Sequence, residues 1–305
     1  MAVGLLLVAP AAVFSQETMT PTPSPAAVGT GRPVRFTFWN VEWFPGRRPN
    51  AGVRAQANHV AAVVPVVQRL DPDVLGLEEV GEEAGAKRVI EQLPDFHLDV
   101  VTGFIREGTG ELTHQQTMLA SRLPLLNAWW ESWKKAANGG PAPARGFAFA
   151  AYQPAPGQVL LVYGMHLKSN RVDNSGGGVD PIVQRDESAR QLLAHQQAMA
   201  AAYGKLGNVT IVVGGDMNTS LDDARYLREQ SLRSWQKGGF AWVFKEVPFP
   251  QRITLPGEGR YPDACFDHIF FCDGGSGARL VSASVERTGR NCSDHRPVSA
   301  AIALQ

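Results

Sequence analysis

The sequence predicts an α/β fold in which β-sheets pack on one another and helices cover the outside. Three observations carry this. Short apolar runs bounded by turn residues recur from Val34 to the C-terminus, helical periodicity is confined to a few segments, and no internal repeat or second linker divides the chain. Strands in such excess over helices hide their apolar faces best against another sheet.

The elements follow in order. Residues 3–14 are an apolar run, and the small or branched residues after it resemble a signal-peptidase site, so residues 1–15 are expected to be the leader of a secreted or periplasmic protein. No Lys or Arg precedes the run and Pro10 interrupts it. It is too short to cross a bilayer as a helix. Residues 16–33, rich in Pro, Thr, Ser and Gly, bury too little apolar surface to offset their ordering entropy and are expected to be a disordered tether. One domain is expected over residues 34–305. Strands are expected at 34–40, 74–77, 96–101, 117–120, 147–152, 159–165, 209–213, 266–271, 279–285 and 297–303. A helix over 54–70 places Val60, Val64 and Val67 on one face, with a kink expected at Pro65. Asp180 and Pro181 form an N-cap and first-turn pair that opens a second helix toward Gly204, and Ser220 is the expected cap of a third over 221–229.

The chain's 305 residues suffice for a substantial core, and its 44% hydrophobic and 19% charged composition is that of a globular protein. Lys plus Arg and Asp plus Glu are 29 each. With no net charge there is no global field to draw a polyanion, so such a substrate must be held by a local patch or by bound cations. The cysteines, Cys265, Cys272 and Cys292, are too few for a disulfide framework and lack CxxC spacing.

Polar residues stand at the ends of the apolar strands, where a rigid sheet can hold them in a shared cleft. The first strand ends in Trp39-Asn40-Val41-Glu42, the segment LDPDVLGLEEV in Glu78 and Glu79, LLVYGMHLKS in His166 and Lys168, and VTIVVGGDMNTS in Asp216 and Asn218. FDHIFF contributes Asp267, and CSDHRPV contributes Ser293, Asp294 and His295. Singly, each of these reads as a turn, a cap or a solvated charge. Together the carboxylates and amides make an oxygen-rich site suited to Mg²⁺ or Mn²⁺, with Ca²⁺ as a further candidate, and less suited to zinc, for which neither HExxH nor a cysteine cluster is present. Histidines beside carboxylates can supply a base and a proton donor at neutral pH, as metal-assisted phosphoester hydrolysis needs.

In this order WNVE, DPDVLGLEEV, ASRLPL, GMHLKS, GGDMN, FDHIF and SDHRPV resemble the endonuclease/exonuclease/phosphatase superfamily, which includes DNase I-like nucleases and neutral sphingomyelinases. The resemblance runs from about Val34 to the end. It implies a four-layer α/β sandwich, two mainly antiparallel sheets flanked by helices, with the site at one rim. It also implies that Glu79 and Asn40 hold the divalent metal with Asp294 as a further ligand, and that Asp216 orients or deprotonates the attacking water. Asn218 would steady the phosphorane charge, His295 with Asp267 would stand beside the scissile phosphate, and His166 would stabilise or protonate the departing oxygen. Arg145 and Lys168 are the expected phosphate contacts. The sequence departs from the common pattern at Glu78, where glutamine is frequent, and at His268, which strand alternation turns away from the face of Asp267. If Glu78 points into the core it demands a buried partner.

The expected activity is that of a secreted nuclease acting on DNA or RNA as a monomer with no obligate protein partner. A sphingomyelinase-like lipid phosphodiesterase or phosphatase is the alternative, motivated by Trp129, Trp130 and Trp133 beside Lys134 and Lys135, a composition suited to a membrane interface, to stacked bases or to a core. A catalytically inactive binding protein of the same fold is the third reading. Segments 175–179 and 248–262 read as mobile rim loops that choose the substrate. Cys265 and Cys292 each lie two residues before an aspartate of the expected site, close enough to form a bridge if those aspartates meet.

Overall fold

The computed structural model describes residues 31–106, 109–136, 139–171, 179–259 and 261–305. The expected leader, most of the tether, and loop residues 175–178 lie outside them. In chain order the elements are β1 (Val34–Phe44), α1 (Val53–Leu70), β2 (Val74–Val80), α2 (Glu83–Ile90), β3 (His97–Val101), β4 (Gln116–Ser121), β5 (Leu125–Ser132), β6 (Gly146–Tyr152), β7 (Gly157–His166), α3 (Pro181–Tyr203), β8 (Gly207–Asp216), α4 (Ser231–Lys237), β9 (Ala241–Trp242), β10 (Asp267–Cys272), β11 (Arg279–Val285) and β12 (Val298–Ala303). They form two six-stranded sheets, ordered β11-β12-β1-β2-β4-β3 and β5-β6-β7-β8-β10-β9. Each sheet has one central parallel pair, β1 with β2 and β7 with β8, flanked by antiparallel neighbours.

Strand alternation explains the layers. Phe36 and Phe38 of β1 join the core shared with β6, β7 and β8, whereas Trp39 and Val41 join Leu75, Leu77 and the buried valines of α1 and α2 on the opposite face. β1 and β2 therefore read as nearly continuous apolar runs because both faces are covered. Phe38 is wedged between the sheets. A methyl group on Gly76 would lie 2.3 Å from its ring, and one on Gly214 2.2 Å from its other edge, so both glycines are recesses that admit the ring. Asp180 caps α3 as expected, its Oδ1 accepting from Ile182 N at 2.8 Å.

Several elements differ from expectation. α1 continues through Pro65, which is exposed, so the carbonyl it leaves unpaired can reach water. The helix expected over 221–229 is absent. Asp223 instead accepts from Arg225 N at 2.8 Å in a 3₁₀ turn over Ala224–Tyr226, and Glu229 leaves for a buried pair with Arg185 at 2.7 Å, so helix starts only at Ser231. β5 and α2 appear where no element was expected. In β5, Trp129 stacks on Phe149 with centroids 4.2 Å apart, Trp133 just beyond it is buried beside Phe147, and Trp130 packs on Phe104. The Trp cluster is spent mostly on packing. The stretch read as a mobile loop from 248 is fastened at Arg252 and Thr254, both buried.

Cys265, Cys272 and Cys292 are free thiols. The bridge expected between Cys265 and Cys292 does not form, because Cys265 packs near His268 in one core and Cys292 sits against Ala62 of α1 in the other. The two aspartates do not meet either, since Asp267 is buried and Asp294 turns out toward Arg290, and their i−2 neighbours serve different layers.

Candidate active site

Topology alone brings the polar strand ends to one rim. The parallel strands β1, β2, β7 and β8 deliver Asn40, Glu78, Glu79, His166 and Asp216 at their C-terminal ends. The antiparallel neighbours β4, β6, β10 and β12 start at the same level, so Gln115, Arg145, Asp267 and His295 arrive there from their N-terminal sides. Register fixes the centre: His166 and Asp267 both pair directly with Asp216 across β7, β8 and β10.

Asp216 is the hub. Its Oδ2 accepts from Asn40 Nδ2 at 3.1 Å and lies 3.5 Å from His166 Nε2 and 3.9 Å from His295 Nε2, while its Oδ1 accepts from Asn218 N at 2.9 Å. His295 Nδ1 meets Asp267 Oδ2 at 2.8 Å. Asn40 Nδ2 also lies 3.2 Å from Glu79 Oε1 in its own sheet, so its bond to Asp216 links that glutamate to the second sheet. Glu79 Oε2 accepts from Trp43 N at 3.1 Å, a contact made because β1 shifts register after Asn40. Glu42, Trp43 and Glu79 hold φ of 45°, 51° and 61°, and Asn218 53°, sparsely populated backbone gathered at one place.

The electrostatics separate the groups. Burial lowers the His295 value, but Asp267, Asp216 and Glu79 outweigh it and push it up to about 10, so this imidazole is a cation between carboxylates. Burial, with Asp267 beside it, raises the Asp216 carboxyl to about 7 against the pull of His295. Burial, aided by Arg145, His295 and Lys168, holds His166 well below the ordinary imidazole value, and its Nδ1 has no hydrogen-bond partner among the described residues. Glu78 is fully buried with neither oxygen partnered among the described residues, and burial together with Asp267 and Asp216 raises its carboxyl well above the usual range, which favours its neutral form. Room for it exists because residue 215 is glycine; a Cβ there would stand 2.8 Å from Glu78 Oε1.

Of the residues singled out from sequence, Asn40, Glu79, His166, Asp216, Asn218, Asp267 and His295 meet at this rim. Asp294 does not join the Asp216, Asp267 and His295 group; it is partly exposed, 3.9 Å from Arg290 Nη1. Arg145 lies within the field of Glu79 and Asp216, but its guanidinium is bound to the carbonyls of His166 and Leu167 at 3.3 and 3.1 Å and to Gln115, so it braces the end of β7. Lys168 Nζ donates to Arg171 O at 2.9 Å. His268 is packed, accepting from Trp242 Nε1 at 3.0 Å, as its alternation implied. Three residues without an assigned part hold the others in place. Ser293 Oγ donates to Asn40 O and accepts from His295 N, Trp39 Nε1 donates to His295 O, and Thr254 Oγ1 accepts from Asp267 N at 3.1 Å. Trp39 and Ser293 stand inside the WNVE and SDHRPV strings, whereas nothing in the sequence around Thr254 signals its part.

Stacked six-stranded sheets flanked by helices, with acids, amides and imidazoles at one rim, define a DNase I-like α/β sandwich. The chain belongs to the Endonuclease/Exonuclease/phosphatase family, whose sequence model matches residues 37–295. Its members are typically hydrolases of phosphoester bonds. The fold is shared with the endonuclease/exonuclease/phosphatase from Beutenbergia cavernae DSM 12333, at 19% identity and TM-score 0.63, over 90% of this chain and 72% of that one. It is shared too with the human Nocturnin catalytic domain with bound sulfate anion, at 14% identity and TM-score 0.61, over 90% and 94% of the two chains. D. rerio TDP2 complexed with single strand DNA product is similar at 16% identity and TM-score 0.60, over 88% and 98%. No curated protein matches the chain by sequence.

Proposed function

We propose that the chain is a divalent-metal-dependent phosphodiester hydrolase acting on nucleic acid. The observation that carries this is the Asp216 carboxylate, held within 3.1 to 3.9 Å of Asn40, His166 and His295 at the mouth of two sheets. The donor set suits a hard dication, being mostly carboxylate and amide oxygen, with Asp267 Oδ1 buried and unpartnered among the described residues. Glu79 and Asn40 would hold the ion beside Asp216, since a cationic His295 is no metal ligand. Bound there, Mg²⁺ or Mn²⁺ supplies positive charge to a non-bridging phosphate oxygen.

The side chains divide the remaining work. Asp216, with a carboxyl near 7, is matched to take a proton from the attacking water at neutral pH. The imidazolium of His295, fixed by Asp267, donates from Nε2 to a phosphate oxygen and offsets the charge that develops. The Asp267–His295 pair beside the phosphate would thus serve charge stabilisation, leaving proton abstraction to Asp216. Asn218 Nδ2 is tied to Leu167 O at 3.2 Å, which orients its amide at the rim. His166, neutral, serves the departing oxygen as a hydrogen-bond partner.

Nucleic acid is favoured by the single strand DNA product bound to the fold-mate from D. rerio. The lipid alternative loses its motive, since Trp129 and Trp133 pack into the core. The apolar N-terminal run supports action outside the cytoplasm. Hydrolysis of bis-p-nitrophenyl phosphate with Mg²⁺ and with EDTA tests the chemistry, and supercoiled plasmid offered beside sphingomyelin tests the substrate. Absence of metal-dependent turnover in wild type refutes the hydrolase; cleavage of sphingomyelin alone refutes the nuclease.

A further inference from the structure

Next to Glu79 the loop after β1, the start of α2 and the segment before β4 enclose a cavity of about 320 Å³, its walls including Trp43, Arg48, Glu82, Arg88 and His114. That volume is at the lower end of the range for small-molecule sites. Each wall is joined to the rim. The Trp43 amide is the one that binds Glu79, Gly81 two residues past Glu79 donates to Phe44 O at 2.7 Å, and His114 precedes the Gln115 that braces Arg145.

The lining has a chemical bias. Two guanidinium groups face one carboxylate in a chain whose overall charge is zero. Among the described residues Arg88 spends one nitrogen on Gln56 Oε1 at 2.9 Å, which leaves its other donors for a ligand, and both Arg88 and Arg48 are exposed. The rings of Trp43 and His114, both in the lining, stand 6.4 Å apart at 50°, and the His114 side is exposed. The wall is also built in advance. Its left-handed turn at Glu42 and Trp43 is pinned by Arg47 on Glu42 at 2.7 Å and by His59 Nδ1 accepting from Gly46 N at 2.9 Å.

We propose that this cavity receives the nucleotide next to the scissile phosphodiester, its base against Trp43 and His114 and its own phosphate on Arg48 and Arg88. Stacking faces with paired guanidinium groups suit a nucleotide and not an acyl chain. The proposal deepens the nuclease reading and rests on it.

The test compares wild type with Arg48→Ala/Arg88→Ala on two substrates, bis-p-nitrophenyl phosphate, which has no flanking nucleotide, and a short single-stranded oligodeoxynucleotide. The double variant should hydrolyse the small diester as wild type does. Its KM for the oligonucleotide should rise roughly tenfold or more, with a shallower dependence of binding on salt, as loss of phosphate contacts requires. Unchanged oligonucleotide KM overturns the proposal, as does an equal loss on both substrates, which would mean a general field at the metal site. Calorimetric titration of the metal-free proteins with deoxyadenosine monophosphate gives a readout independent of catalysis. Binding by wild type that is lost in the double variant supports the cavity even if no diester is cleaved, and no binding by wild type counts against it.

Discussion

Replacing Gly214 by Ala should separate the two sheets at the point where they set the site. The added methyl would stand 2.2 Å from the Phe38 ring, against an ordinary carbon contact of about 3.5–4.0 Å, so more than an ångström must be found between two backbones. Phe38 is fully buried and blocked on its other edge by Gly76, where a Cβ would be 2.3 Å away, so the ring cannot retreat. Overpacking of this kind costs about 1–3 kcal/mol, and this site belongs at the upper end. Phe38→Ala alone should cost about 3–5 kcal/mol through the cavity it leaves. In the double variant the methyl occupies part of that cavity, so the two costs should fall short of their sum by about 1–3 kcal/mol. Urea unfolding of the four metal-free proteins measures the cycle. Phe38 and Gly214 each lie two residues before a site residue, Asn40 and Asp216, and the 3.1 Å bond between those side chains crosses the gap between sheets. Gly214→Ala should therefore also depress turnover of bis-p-nitrophenyl phosphate, and Phe38→Ala should restore part of it. Strict additivity, or a Gly214→Ala protein as stable as wild type, would refute the wedge.

The pH–rate profile should be bell-shaped, rising as Asp216 loses its proton near 7 and falling as His295 loses its own near 10; a bound dication moves the acid limb lower, and a flat profile would sink the role assignment. Because the folded value of His295 exceeds its ordinary 6.5, the stability it contributes is fully present below that pH and is lost as pH rises toward 10. Asp267→Asn removes the counter-charge, so thermal unfolding followed across pH should show that slope diminished, with a loss of about 3–5 kcal/mol at neutral pH. Mg²⁺ or Mn²⁺ at a hundredfold excess over its dissociation constant should stabilise wild type by about 2.7 kcal/mol in calorimetry, and Glu79→Ala should abolish most of that gain. Away from the site, Glu229→Gln should cost about 3–5 kcal/mol in urea unfolding, since it leaves Arg185 buried without its carboxylate.

The sequence discloses the site better than its surroundings, for a physical reason. A strand end carrying Glu, Asp, Asn or His after an apolar run is legible one residue at a time, and β-register then places such ends together without help from loops. Residues whose partners lie in another layer are not legible in that way. Asp294 sits next to His295 in the chain, yet the turn that sends His295 inward sends Asp294 out toward Arg290. Cys265 and Cys292 have equivalent spacings and opposite cores. β5 was hidden because its tryptophans fit a membrane surface as well as a sheet edge, and the helix expected at 221 was lost to aspartates that bind nearby backbone and arginine side chains.

Glu78 shows how a neutral chain can bury this much acid. Four carboxyl groups, Glu78, Glu79, Asp216 and Asp267, crowd one rim whose fixed cations are Arg145 and the proton on His295. Burial favours the neutral form of Glu78, which removes one negative charge, and the guanidinium and imidazolium offset others, so the rim can bury its acids in a chain of zero net charge. The same balance leaves little positive charge to meet an incoming phosphodiester. A site so compensated needs an added cation to bind its substrate, and that need, more than any one ligand distance, ties the proposed chemistry to a divalent metal.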